Sequence, residues 1–87
     1  MRDYNDPEYK KFRNKVRQRD HNKCRWPGCG TSKKLQVHHI RKWHDFPTLR
    51  YAQSNGITLC RRHHDIVKNN EESYAPLFIR IVNENHT

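Results

Sequence analysis

The run Cys60-Arg61-Arg62-His63-His64 places one thiol and two imidazoles at the start of an expected helix. Residues at i and i+3 share a helix face, whereas direct neighbours point about 100° apart. Cys60 and His63 can therefore grip one metal ion from one side, which leaves His64 for a second centre. Each centre needs partners from elsewhere in the chain. Cys24 and Cys29 suit the first, and the His38-His39 pair suits the second.

The bulk composition gives a reason for a metal. The 87 residues form one expected domain, 1–87, in which hydrophobic residues (32%) barely outnumber charged ones (31%). A chain this short and polar has little apolar surface to bury, and such domains lean on disulfides, a metal or a partner. Three cysteines cannot pair off evenly, and the opening residues read neither as a signal peptide nor as a membrane span. The expectation is a reducing, cytoplasmic setting with the cysteines as thiolate ligands. Seven histidines, three cysteines and two tryptophans argue against a disordered tail. The net charge of +9 points to a polyanionic partner, nucleic acid before acidic membrane.

Along the chain, Asp6-Pro7-Glu8 reads as a helix start: a capping oxygen, a proline at the first helical position and an acid near the dipole's positive end. Tyr9, Phe12 and Val16 recur at helical spacing among lysines and arginines, which predicts an amphipathic helix to about Asp20. Its basic face either tracks a nucleic-acid backbone or is simply solvated. Asn22, Pro27-Gly28, Gly30 and Thr31-Ser32 break any regular element up to residue 32. Leu35 to Ile40 alternates as a half-buried strand does, and residues 41–54 read as a long loop. Asn55-Gly56 marks a turn, Ile57-Thr58-Leu59 a second strand, and Cys60 onward a helix to about Asn70. Tyr74 to Val82 is expected to be a helix starting near Pro76, with a strand over Phe78 to Val82 as the alternative.

Cys24 and Cys29 flank a tight turn, and Cys60 and His63 open a helix. Two ligand pairs, each close in sequence and remote from the other, are how small domains bracket a tetrahedral structural zinc ion. Four protein ligands close the coordination shell, and binding supplies folding energy that a thin core lacks. The bland alternative is a set of buried free cysteines with a solvent-facing His63.

The order His39, Asn55, His64, with His38 before the first of them and Asn-Gly-Ile-Thr-Leu-Cys leading into Cys60, resembles the HNH endonucleases, also called ββα-metal or His-Me finger nucleases. Arg19-Asp20 ahead of the first cysteine and Pro47-Thr-Leu-Arg-Tyr51 in the loop are similar to small free-standing, phage-type members. The resemblance spans about residues 12–70, with 1–20 as a basic N-terminal helix and 71–87 as a C-terminal extension. It implies a small α+β, zinc-stabilised ββα-metal domain that hydrolyses DNA phosphodiester bonds. On that resemblance His39 is the general base, and His38 and His64 hold a catalytic divalent cation. Asn55 then tethers the loop or orients His39.

Two positions depart from the family pattern. His38 stands where the family usually has aspartate, and His63 where it usually has the fourth zinc cysteine. The first departure leaves neutral imidazoles around the catalytic ion, which favours Mn2+, Co2+, Ni2+ or Zn2+ over Mg2+. Strand alternation also sends His38 and His39 to opposite faces, so one site needs the strand to end or bend there.

Arg41, Lys42 and Arg50 in the loop and Arg61 and Arg62 at the helix start are the expected DNA-backbone contacts, which position a duplex without reading its sequence. The expected activity is nicking of double-stranded DNA with low sequence specificity, by a monomer or weak dimer, with any specificity delegated to a partner protein. Phage encoding, within a bacterial host's cytoplasm, is compatible with this reading. The competing reading is a zinc-stabilised DNA-binding module without cleavage. A protein-interaction zinc ribbon ranks last, because it explains neither the charge nor the His-His pair.

Overall fold

The structure, a computed structural model, describes residues 6–41 and 47–84. Helix α1 (Pro7–Arg19) leads through an irregular segment to strand β1 (Leu35–His39). Two single 3-10 turns, Pro47–Leu49 and Gln53–Asn55, precede strand β2 (Gly56–Cys60), which runs directly into helices α2 (Arg61–Val67) and α3 (Glu71–Glu84). The two strands pair antiparallel, with Leu35 opposite Cys60 and His39 opposite Gly56. This is a small α+β domain.

The start of α1 follows from its sequence: the Asp6 carboxylate accepts a hydrogen bond from the Glu8 N–H (2.9 Å), with Pro7 in the first turn. Tyr9, Phe12 and Val16 form its buried face and pack with Val37 against one side of the sheet. The main core lies on the other side, where Ile40, Ile57 and Leu59 meet Val67 of α2 and Ala75, Phe78 and Val82 of α3. All five residues of β2 are buried, because it is covered on both faces.

Gly56 is where α1 comes closest to the sheet. A Cβ at this position would sit 2.6 Å from Val16 Cγ2 and 2.8 Å from Phe12 Cζ. The expected turn is present, as the Gln53–Asn55 3-10 turn that the Gly56 N–H closes on Gln53 O, but the lack of a side chain at Gly56 serves packing. Its backbone is extended (φ −117°, ψ 148°), and it opens β2 as a site of close packing.

Two helix boundaries differ from the sequence expectation. Helix α2 ends at Val67 rather than near Asn70, as Asn69 takes a left-handed conformation (φ 68°). Helix α3 begins at Glu71, so Pro76 lies inside it rather than at its start. An interior proline removes one backbone hydrogen bond and costs roughly 3 kcal/mol. Burial of Ala75, Phe78 and Val82 along one face offsets this, since a fully buried residue of the Phe or Val kind contributes about 1.5–3 kcal/mol. The segment after residue 70 thus forms part of the main core. The loop expected over 41–54 contains the two 3-10 turns; Lys42, Trp43 and His44 lie outside the described residues, as does His86. No helix among the described residues is long and apolar enough to cross a membrane.

Candidate metal centre and histidine site

Cys24, Cys29, Cys60 and His63 come together, with their ligand atoms all within 4.8 Å of one another. His63 Nδ1 lies 3.6 Å from Cys24 Sγ and 3.3 Å from Cys60 Sγ. A tetrahedral zinc ion, with Zn–S about 2.3 Å and Zn–N about 2.0–2.1 Å, sets its donors roughly 3.5–3.8 Å apart. This Cys3His cluster therefore fits a structural zinc ion in donor type, number and spacing. The turn carrying Cys24 and Cys29 is held locally: Cys24 N–H donates to Thr31 O (2.8 Å) and Cys29 N–H to Trp26 O (3.0 Å), while Gly28 supplies φ 83°. Trp26 stacks flat on the His63 ring, 4.6 Å between centroids at 1°, which fixes the imidazole plane.

The thiols are not equivalent. Burial pushes the Cys24 thiol up to about 11. Burial also acts to raise Cys60, but the backbone N–H groups of His63 and Arg62, together with the Cys24 and Cys29 thiols, outweigh it and set Cys60 below its ordinary value. Burial first, and then the Arg62 charge, holds His63 below its ordinary value. The fold thus favours a neutral His63 imidazole, the form that donates to a metal.

The other histidines divide between the two faces of β1. His38 lies opposite Ile57 and faces the main core, with its ring 5.6 Å from that of His64 and 5.7 Å from that of Phe78. His39 lies opposite Gly56 and stacks on Phe12, 4.7 Å between centroids at 17°. Strand alternation therefore holds, and the two rings meet different helices at the last two residues of β1. His64 turns away from the cysteine cluster toward His38, as its offset from His63 predicts. Among the described residues no third histidine, cysteine or carboxylate completes a ligand set around this pair.

Asn55 is a clamp. Its Oδ1 accepts from the Arg41 N–H (2.8 Å), and its Nδ2 donates to Arg41 O and Leu49 O (both 3.2 Å). Its own carbonyl takes the Ile40 N–H (2.8 Å). One buried amide thus fastens both ends of the 41–50 segment. The residue after Leu49 is Arg50, whose carbonyl lies 2.9 Å from His39 Nε2. A carbonyl only accepts, so His39 carries a proton on Nε2 and donates it to Arg50 O.

Of the expected backbone-contacting cations, Arg61 and Arg62 are exposed at the start of α2, and Arg50 is half-buried. Arg41 is half-buried and lies 3.7 Å from Glu72 of α3. Lys42 lies outside the described residues.

Sequence reasoning assigned Asp20 no role of its own, yet its buried carboxylate is the centre of a hydrogen-bond network. Its carboxylate accepts from Arg19 Nε and Nη2, from Arg25 Nη1 and from the Thr58 N–H, all at 2.8–2.9 Å. Arg19 also reaches Gln53 O (2.8 Å) and Gly56 O (2.7 Å). This buried network ties the end of α1 to β2 and to the turn that carries Asn55. One signal was available: an acid at a helix C-terminus opposes the helix dipole and needs cations to hold it there.

Comparison of the chain with protein-family models, with curated proteins and with solved structures gives no match.

Proposed function

We propose that this protein is a zinc-stabilised, metal-dependent DNA endonuclease of the HNH kind. The observation that carries the reading is the link from Asn55 to His39: the amide fixes Leu49, and the next carbonyl accepts from the histidine's Nε2. The +9 charge and the exposed Arg61 and Arg62 support a polyanionic substrate.

In this reading a phosphodiester lies across the C-terminal end of β1. His39 Nδ1 takes a proton from the attacking water, a task suited to an imidazole with its other nitrogen tied down. The hydroxide adds to phosphorus and the 3′ oxygen leaves. His38 and His64, whose rings lie 5.6 Å apart, would hold the divalent cation, which would supply positive charge to the phosphate and the leaving oxygen. Two neutral imidazoles suit Mn2+, Co2+, Ni2+ or Zn2+ better than Mg2+. The Cys3His cluster plays no part in cleavage: four protein ligands leave no position for substrate.

One observation favours the second reading, a DNA-binding module without cleavage. The His38–His64 pair has no third ligand among the described residues, and His38 packs against the core residue Phe78. Plasmid nicking separates the two. The expected result is conversion of supercoiled to relaxed DNA with at least one of Mg2+, Mn2+, Ni2+, Co2+ or Zn2+. His39→Ala is expected to bind as well but cut about 10²–10⁴-fold more slowly, the usual worth of a positioned general base. Equal binding with no cutting under any metal would establish the second reading and remove the catalytic roles of His38, His39 and His64.

A further inference from the structure

A cleft of about 280 Å³ runs beside β1, lined on one side by Tyr9, Arg13 and Arg17 of α1 and on the other by His64, with Gln36 and Val37 between. Tyr9, Arg13 and Arg17 follow one another at i, i+4 and i+8, so they form a single stripe on the helix. Strand β1 pairs only with β2, so the cleft follows the open edge of the sheet. That edge lies between the face holding His39 and the face holding His38 and His64.

The two arginines differ from the others around them. Arg19 and Arg25 grip Asp20, Arg41 lies by Glu72, and Arg80 lies by Glu84. Arg13 and Arg17 have no carboxylate among the described residues, and the Nε of each is buried without a hydrogen-bond partner among them. Two arginines one helical turn apart that line one cleft, without a carboxylate among the described residues, are suited to take a phosphate through their guanidinium N–H groups. Packing of their stems on the helix explains the position of the carbons and not the unanswered donors.

We propose that Arg13 and Arg17 form a phosphate subsite for the nucleic-acid backbone, holding a phosphodiester in the β1-edge cleft beside His64. The subsite rests on the reading of the chain as a nucleic-acid-binding protein, and not on cleavage. It makes α1 part of the interface rather than a solvated outer wall. A strand held there would pass along the sheet edge and reach the histidines at the end of β1.

The test measures binding of a fluorescent DNA duplex as a function of salt for the wild type, for Arg13→Gln/Arg17→Gln and for Lys11→Gln/Lys15→Gln. The lysine pair makes the same charge change on the exposed face of α1. Each phosphate contact contributes roughly 0.9 to the slope of log affinity against log salt, so loss of the one phosphate held by the arginine pair is expected to lower the slope by about 1, and the lysine pair by less than half of that. Equal losses in both pairs would reduce the effect to net charge and overturn the subsite.

Nitrogen-15 spectra of the Arg13 and Arg17 Nε–H groups distinguish the source of the phosphate. Shifts on adding duplex support a nucleic-acid backbone, whereas shifts with inorganic phosphate alone and none with duplex would overturn that assignment. If the glutamine pair does not fold, Arg13→Lys/Arg17→Lys keeps stems and charge but loses the forks. It is expected to bind several-fold more weakly, and wild-type affinity would overturn the forked grip. Nicking assayed in parallel keeps the two proposals apart. A wild type that does not cut, with a slope that depends on Arg13 and Arg17, sinks the nuclease and leaves the subsite. A wild type that cuts, with a slope indifferent to both arginines, does the reverse.

Discussion

The two histidine-bearing regions are built on opposite principles. At the cysteine cluster, four donors converge within 4.8 Å, Cys24 and Cys60 are buried, and the main core packs directly behind them. At the end of β1, two imidazoles meet edge to face, a third is oriented by a backbone carbonyl, and an open cleft runs alongside. Four protein donors close a tetrahedral shell, which suits the cysteine cluster to a structural ion. The two regions share α2: His63 turns to the closed cluster and His64 to the open pair. One helix turn therefore carries a residue of each region.

That division has consequences that mutation can break. The largest concerns the cluster. Cys60→Ser, or removal of metal by a chelator, is expected to unfold the whole domain, because binding of a structural zinc is worth about 10–16 kcal/mol in small domains and the stability of a domain is only about 5–15 kcal/mol. Circular dichroism and measurement of bound zinc check this; a Cys60→Ser protein that stays folded without metal would remove the stabilising role from the cluster.

Next in size is Asp20, which joins the two regions through β2. Asp20→Ala leaves Arg19 buried without its partner, and such a loss costs roughly 3–5 kcal/mol. Urea unfolding with zinc present measures it. A cost below about 1 kcal/mol, the level of a surface ion pair, would place the network outside the stability of the fold.

Asn55→Ala sharpens the contrast further, because its expected effect is divided. Stability should fall by roughly 2–4 kcal/mol as buried backbone groups at Arg41 and Leu49 lose their partner. Zinc stoichiometry should stay unchanged, while nicking falls further than stability accounts for. Loss of zinc along with nicking would show that the two regions are not separable.

The smallest effect is on pH. Burial holds the His63 pKa below its ordinary value, so the neutral ring contributes stability that is fully present above about 6.5. That contribution is lost as pH falls through the lower folded value. His63→Cys, which keeps four donors, is expected to flatten the loss below about pH 6.5, as read from the unfolding midpoint against pH. An unchanged acid limb would assign the sensitivity to the thiolates.

Much of this arrangement was legible in the chain. Asp6-Pro7 fixed the start of α1, and the spacing of Tyr9, Phe12 and Val16 gave its buried face, because capping and periodicity act over a few residues. The Cys3His set was readable because metal ligation demands particular atoms at particular spacings. The resemblance to HNH nucleases supplied the roles expected of His39 and Asn55; the structure adds the hydrogen bonds of Asn55 to Arg41 and Leu49.

Other features depended on contacts between remote segments. Pro76 sits inside α3 because burial of Phe78 and its neighbours outweighs a local helix breaker. Gly56 serves close packing by Phe12 and Val16, residues some 40 positions earlier in the chain, and a local turn signal does not reveal that. Asp20 gathers donors from Arg19, Arg25 and Thr58, and a lone acid in a basic segment does not announce such a network. The sequence by itself determined which residues have the chemistry to hold a metal, cap a helix or carry charge, since those capacities reside in single side chains and short spacings. Only the tertiary structure decided which of them meet, placing Arg13 and Arg17 beside His64 and the Arg50 carbonyl on His39, because the antiparallel register of β1 and β2 and the packing of α1 set distances that no local spacing contains.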